Sequence, residues 1–413
     1  MRQKLSRRRL LLGSAAAAGA ASLPLRVTFA QGAPPLKLGL MTVKTGSLAE
    51  GGIQMEQGVT AFLRDHNNTI AGRKVDLIIA DTGGSPAGAK NKVQELVERD
   101  NVDVITGPLA AFELLAITDY IAQHKMPTLS LAAAEDMTQR KPNPYFLRAS
   151  ATSAQAMQPL ADYAAKELKY KRVVTIAEDF AFGYEQMGGF QRVFEDNGGT
   201  VLKKLWAPLG TADLTPYIAQ IGECDAVIQG FAGSAPVKFV KQYVDAGMKY
   251  PLLGGETAGD DALLKSFSDE AIGMVTAAPY TADLDNDANK HFLAVMKKEY
   301  GVLAGQYAAL LWLNVQIIED ALKKTGGKTD DRDAFMAALR SVALADTVRG
   351  PVRFDHFGNV VGDIFIRRLE KKDGKLVNTT IKTYRDVSQF WTYDEKTFLS
   401  QPVYSRDYPP LKS

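Results

Sequence analysis

Short apolar runs alternate with amphipathic stretches along most of this 413-residue chain. The repeat is about 25–30 residues per pair, the sequence form of a parallel sheet joined by right-handed helical crossovers. Residues 36–41 read as a strand. The helix after it carries Met55, Val59, Phe62 and Leu63 on one face at 3.6-residue spacing. Strands follow at residues 75–81, 102–106 and 128–131. Helices through Val93, Leu96 and Val97, and through Leu114, Ile117 and Ile121, separate them. The pattern then restarts, with a strand at 172–177, a helix at 184–197 and strands at 201–206, 225–230, 251–254 and 273–276. A long helix over 306–324 packs Ala309, Trp312, Leu313, Ile317 and Ala321 as core. Past Gly350 the texture is β-rich. Residues 351–354, 361–369 and 376–383 read as antiparallel strands, with Lys371-Lys372-Asp373-Gly374 as a turn. The β-rich texture is expected to continue after Asp386. Two α/β lobes suit a chain too long for one core.

The first thirty residues are an address and no part of the fold. A basic cluster, Arg7-Arg8-Arg9, runs into Leu10-Leu11-Leu12 and an Ala-rich stretch that ends at Thr28-Phe29-Ala30. That is the layout of an export signal, and the paired arginines resemble a twin-arginine signal. The mature chain is expected to begin near Gln31. Residues 1–30 hold six basic residues (Arg2, Lys4, Arg7, Arg8, Arg9, Arg26) and no acid. The whole chain has 49 basic and 47 acidic residues, so the remainder carries a net charge of −4, which gives nucleic acid no basic face. No later apolar run reaches the ~18 residues of a membrane span. Cys224 is the only cysteine and cannot close an internal disulfide. It also lies far from the signal, where a lipid anchor would be attached. A soluble periplasmic protein without a lipid anchor is expected.

Chemistry finds little support. His66, His124, His291 and His356 are scattered, and no metal or cofactor is implied. There is no G-x-S-x-G elbow and no phosphate loop of the Walker type. Residues 254–259 are glycine-rich, but their spacing breaks the dinucleotide fingerprint and suits a turn at a strand end. Asp260-Asp261 fits a cap for a helix at Ala262. Binding is the better class.

The chain resembles the periplasmic binding proteins that feed ABC importers, in particular the leucine/isoleucine/valine-binding (type I) family. The resemblance covers residues 36–370. Leu38-Gly39-Leu40-Met41 leads to Thr45-Gly46-Ser47-Leu48-Ala49, Gly52 and Gly58. Val102 to Gly107 follows, then Pro127-Thr128-Leu129-Ser130 and Phe146-Leu147-Arg148. The later landmarks are Ala177-Glu178-Asp179-Phe180-Ala181-Phe182-Gly183, Asp213-Leu214-Thr215-Pro216-Tyr217 and Phe354-Asp355-His356-Phe357-Gly358. The resemblance implies two doubly wound parallel-sheet lobes joined by a three-crossover hinge that closes on a small ligand. It implies an N-terminal lobe of residues 36–148 plus 283–350 and a C-terminal lobe of 149–282 plus 351–385. An extension, 386–413, with Phe390, Trp391 and Tyr393, either braces the second lobe or touches the permease. The implied partners are a small-molecule carboxylate and an inner-membrane ABC importer permease, with the protein itself a monomer.

Departures from the family pattern shape the expected pocket. Amino-acid binders carry hydroxyls after the third strand, where this chain has Ala110-Ala111-Phe112, and an Ala and a Thr after the fourth, where it has Ala132-Ala133-Ala134. A covering aromatic becomes Gly51, the second-lobe Tyr becomes Phe182, and the strand-end aromatic is Phe231. Glu256 stands where the family places an acid facing an α-ammonium. The expected ligand-binding residues are Gly51, Ala111, Phe112, Ala133, Ala134, Phe182, Phe231 and Glu256. Core packing is the competing role for Phe182 and, more strongly, for Phe231. Two ligand classes stay open. An aromatic acid such as a benzoate or hydroxycinnamate would be held by N–H groups at the helix start near Ala111 and by stacked phenylalanines. A branched-chain or aromatic amino acid would pair its ammonium with Glu256. Loss of the hydroxyls favours the aromatic acid, because a buried carboxylate needs donors. An amide sensor on the same fold is cytoplasmic and conflicts with the signal.

Overall fold

The computed structural model describes residues 34–412; the expected export signal, residues 1–30, lies outside the described residues. The first lobe is built on β1 (Leu36–Thr42), β2 (Thr69–Ile70), β3 (Arg73–Asp81), β4 (Val104–Thr106), β5 (Thr128–Leu129) and β6 (Phe146–Leu147). Their order is β2-β3-β1-β4-β5-β6, parallel except for the β2–β3 pair. Between them run α1 (Ala49–Asp65), α2 (Pro86–Gln94) and α3 (Ala111–Gln123). The chain then crosses into α4 (Ser153–Lys166), β7 (Arg172–Glu178), α5 (Ala181–Asp196), β8 (Thr200–Ala207), α6 (Thr215–Ile218), β9 (Ala226–Gly230), α7 (Ala235–Asp245), β10 (Leu252–Gly254) and β11 (Val275–Ala278). It returns as α8 (Asp287–Tyr300), α9 (Gln306–Lys324) and α10 (Arg332–Arg340), with α8 and α9 packed on α1. A third crossing supplies β12 (Val352–Phe354), β13 (Val360–Lys372) and β14 (Lys375–Val387). The second sheet runs β12-β13-β11-β10-β9-β7-β8, with β14 on β13. It is parallel from β11 to β8 and antiparallel where β12, β13 and β14 join. This is the expected α/β architecture of two doubly wound sheets joined three times.

Local departures have physical causes. The strand expected at 128–131 stops at Leu129, because the Ser130 hydroxyl turns to the Pro108 carbonyl (2.6 Å) and accepts the Ala132 N–H (2.9 Å). That frees residues 131–134 to form a loop. The expected strand at 273–276 starts two residues later, after a left-handed Gly273. The helix through Val93, Leu96 and Val97 ends at Gln94 and loosens into a π-turn, Glu95–Arg99, that still buries Leu96. No strand follows Val387 among the described residues. The expected β-rich tail is instead a run of turns with one short helix, α11 (Glu395–Leu399). The tail folds over α4 and α5, burying Phe390, Phe398 and Tyr404 against Ala154, while the Arg192 guanidinium lies 4.0 Å from the Tyr393 ring centroid. The aromatics that gave the tail a strand-like composition thus serve side-on packing.

Three arginines, Arg148, Arg349 and Arg367, are wholly buried at the crossings. Arg148 donates to the carbonyls of Ala132 (3.1 Å) and Ala134 (2.7 Å), to Thr138 (2.6 Å) and to Asn359 (3.0 Å). Arg349 donates to the carbonyls of Ala149, Ser150 and Asp363. Arg367 reaches Tyr280 O (3.1 Å), Gly259 O (3.3 Å) and the Asp261 carboxylate (3.2 Å). Arg148 thus ties the first crossing to the loop after β5, Arg349 ties the first and third crossings to β13, and Arg367 ties β13 to residues 259–261 and to Tyr280. Replacing Arg148 by Ala would orphan four buried acceptors, each costing about 1–3 kcal/mol. Urea denaturation of Arg148→Ala is expected to show a loss of about 3 kcal/mol or more; a loss below about 1 kcal/mol would show that the first crossing does not depend on this side chain.

Candidate functional site

Strand C-termini of both sheets face one another across a small cavity. The first lobe supplies Leu48 ahead of α1, Leu109, Ala110 and Ala111 at the start of α3, and Leu131 and Ala133 from the loop after β5. The second lobe supplies Phe180 and Phe182 after β7, Ala232 after β9, and Glu256 and Thr257 after β10. Gln306, Tyr307 and Leu310 enter from the first turns of α9, and Ser150 from the first crossing. This is the place where open α/β sheets bind ligands, since strand ends and helix starts leave backbone groups free there.

Of the expected site residues, Ala111, Ala133, Phe182 and Glu256 line the cavity; Gly51, Phe112, Ala134 and Phe231 do not. Gly51 stands behind the wall. A Cβ there would lie 3.0 Å from Leu109 and 3.2 Å from the Tyr307 ring, so the space left by the missing aromatic is taken by Tyr307. Phe112 backs the cavity, its ring edge-on to Phe180 at 5.6 Å between centroids. Ala134 is turned away by its left-handed backbone (φ 84°). Its N–H goes to Glu185 (3.2 Å) and its carbonyl to Arg148. Phe231 belongs to the second-lobe core, 5.0 Å from Phe239, and contributes only a carbonyl that accepts the Thr257 hydroxyl (2.6 Å). Gln306, Tyr307, Ser150, Thr257 and Phe180 were not among the expected residues. For Gln306 and Tyr307 a signal existed: two polar side chains stand between a glycine and the apolar run 308–313 that follows them in the helix.

The start of α3 is only partly free. Glu113 turns back and takes the Ala110 N–H (2.9 Å), while burial raises its own proton affinity. The N–H groups of Ala111, Phe112 and Ala133 have no hydrogen-bond partner among the described residues. They and the positive end of the helix suit an anion. On the opposite lobe the Glu256 carboxyl is pushed up to about 8 by burial, against the pull of Arg349, Arg148 and Arg367. Burial likewise raises Glu178, beneath the Ala232 N–H, to about 8. Burial thus favours the neutral form of both at pH 7. Neither Arg148 nor Arg349 has a carboxylate within ion-pair distance among the described residues. The walls are therefore largely apolar, and Glu256, the acid that lines them, is shifted toward its neutral form. Gln306 adds a buried side-chain carbonyl with no donor.

The lobes meet tightly around this cavity. Gly233, left-handed at φ 59°, lies so close to the Ser47 carbonyl that a Cβ would sit 2.1 Å from it.

The chain belongs to the periplasmic binding protein family, whose sequence profile matches residues 35–375. It is 27% identical over 365 residues to the Leu/Ile/Val-binding protein homolog 6 of Brucella abortus, covering 84% of this chain and 91% of that protein. A solute binding protein of an ABC transporter from Rhodopseudomonas palustris BisB5, solved in complex with 3,4-dihydroxybenzoic acid, is 32% identical; the match has a TM-score of 0.82 and covers 86% of this chain and 98% of that one. A second R. palustris solute binding protein, in complex with 4-hydroxybenzoate, is 28% identical with a TM-score of 0.81 over 86% and 98% of the two chains. This chain is a substrate-binding protein of an ABC transporter and not an enzyme. No helix among the described residues is long and apolar enough to cross a membrane.

Burial of Glu256 makes a direct prediction. Infrared difference spectra of the parent and Glu256→Gln should contain a protonated-carboxyl band at pH 7 that disappears as pH passes about 8. Between the ordinary value of 4.5 and about 8, the folded chain keeps a proton that the unfolded chain has released, so this group lowers stability as pH rises through that window. A band already absent at pH 6 would contradict the assignment.

Proposed function

We propose that this protein captures an aromatic carboxylate, of the benzoate or hydroxycinnamate type, by hinge closure and delivers it to an ABC importer permease, acting as a soluble periplasmic monomer without a lipid anchor. The observation that carries the ligand class is the pairing of flat apolar walls with an anion-seeking edge. Leu48, Leu109, Leu131, Phe180, Phe182 and Leu310 would enclose a ring, and the free N–H groups of Ala111 and Ala133 suit its carboxylate. Ring contacts with Phe180 and Phe182 would each contribute about 0.5–1.5 kcal/mol beyond area burial. A ring hydroxyl would meet Gln306 and the protonated Glu256. The hydroxybenzoates held by the two R. palustris relatives are of this shape and charge.

A second reading rests on Glu256 itself. If its carboxyl ionises to meet an ammonium, the ligand is a branched-chain or aromatic amino acid, in keeping with the name of the Brucella relative. The two readings differ in proton linkage. An amino acid must drive a proton off Glu256, so its affinity should rise toward tenfold per pH unit below about 8. A benzoate needs Glu256 neutral, so its affinity should be level through pH 6–7 and fall above about 8. Thermal shift with 4-hydroxybenzoate, 4-hydroxycinnamate and the twenty amino acids, followed by titration at several pH values, separates them. A ligand at ~100 times its Kd adds about 2.7 kcal/mol of stability. A response to amino acids alone, strengthening with pH, would overturn the aromatic reading.

A further inference from the structure

Helix α9 opens without a cap of its own. Its N-cap is Gly305, which offers no side chain to the first N–H groups. The cap comes from the other lobe. Asp260, between β10 and β11 of the second sheet, accepts the Gln306 N–H at 2.8 Å through one carboxylate oxygen. Its other oxygen accepts the Ala262 N–H (3.1 Å) and faces the Gln54 amide of α1 (3.5 Å). Asp260 is fully buried. The approach depends on the glycine, since a Cβ on Gly305 would stand 1.9 Å from the Asp260 carboxylate. The sequence reading of Asp260 as a local cap is thus half of its role.

The placement couples this contact to ligand. The first turn of α9 that Asp260 holds is the turn whose Gln306, Tyr307 and Leu310 side chains line the cavity. On the outer side, Gln54, Asp261, Ala262, Ala304 and Ala308 line an open groove between the lobes. Asp260 stands between cavity and groove. We propose that Asp260 is the latch of the closed form, a carboxylate of one lobe that caps a helix of the other only when the lobes meet, and so slows ligand release without touching ligand. A carboxylate at a helix N-terminus in a buried setting is the favourable case for a charge–dipole contact. This rests on hinge closure, and it holds for either ligand class.

The test compares the mature parent with Asp260→Asn, which keeps shape and loses charge, and Gly305→Ala, which keeps Asp260 and blocks its approach. The probe is 4-hydroxybenzoate, with leucine as a second arm. Binding of leucine alone marks failure of the aromatic reading, and the latch is then read with leucine. Two quantities are measured, the hydrogen exchange of the Gln306 amide with and without probe and the probe's dissociation rate by stopped flow. In the parent, probe should slow Gln306 exchange at least tenfold. Both variants should lose most of that protection and release probe about tenfold faster, with far-UV circular dichroism and ligand-free melting close to the parent. The double variant should be no faster than the singles, because both remove one contact. Unchanged dissociation in both variants would overturn the latch. So would equal Gln306 protection in the parent with and without probe, which would make the cap a permanent part of the fold.

Discussion

Three guanidinium groups out of contact with water hold the places where the chain passes between its lobes. Burying an arginine is costly, and here the offset is mainly not a matching carboxylate. Arg148 spends donors on carbonyl oxygens of the loop after β5, and Arg349 on those of the first crossing and of β13. Only Arg367 has an ion partner, Asp261. The arrangement fixes the loop carrying Ala133 from behind, since Arg148 holds the carbonyls of Ala132 and Ala134 on either side of it. It also leaves positive charge close to the cavity, with no carboxylate paired to two of the three forks.

The character of the site follows from that charge and from burial. For Glu256 the desolvation penalty outweighs the attraction of Arg349, Arg148 and Arg367, and for Glu178 it outweighs the Ala232 N–H and Lys238, so burial shifts both toward the protonated form. Under the function proposed above, a neutral Glu256 and free N–H groups on one edge would suit a monoanion better than a zwitterion. Tyr307 lines the cavity, and it has room because position 51 carries no side chain. The second lobe closes that surface through the Gly233 backbone, where a side chain would strike Ser47.

Fold was legible in the sequence because its signals are local. Periodicity in α1, α3 and α9 and the apolar strand runs each depend on a few adjacent residues, and the sheets followed from their alternation. The tail was misjudged because Phe390, Trp391 and Tyr393 have strand-like composition, and only tertiary packing on α4 and α5 reveals a different use. At the site, Glu256, Phe182, Ala111 and Ala133 were reachable through the family landmarks. Phe231 and Ala134 were not excluded, because neither the inward turn of a strand-end ring nor a left-handed alanine leaves a mark in one sequence. Tyr307 was missed for a further reason: it fills a gap created some 250 residues earlier in the chain at Gly51, a compensation visible only when α1 and α9 are seen side by side.

How a ligand lies in this cavity decides between the two ligand classes. A crystal structure of the mature chain with 4-hydroxybenzoate tests it most directly. The carboxylate is expected against the N–H groups of Ala111 and Ala133, with the ring between Leu131 and the Phe180–Phe182 pair and the hydroxyl toward Gln306 and Glu256. A ligand reversed, with its carboxylate beside Glu256, or a cavity that stays empty at saturating concentration while leucine occupies it with its ammonium on Glu256, would contradict the account.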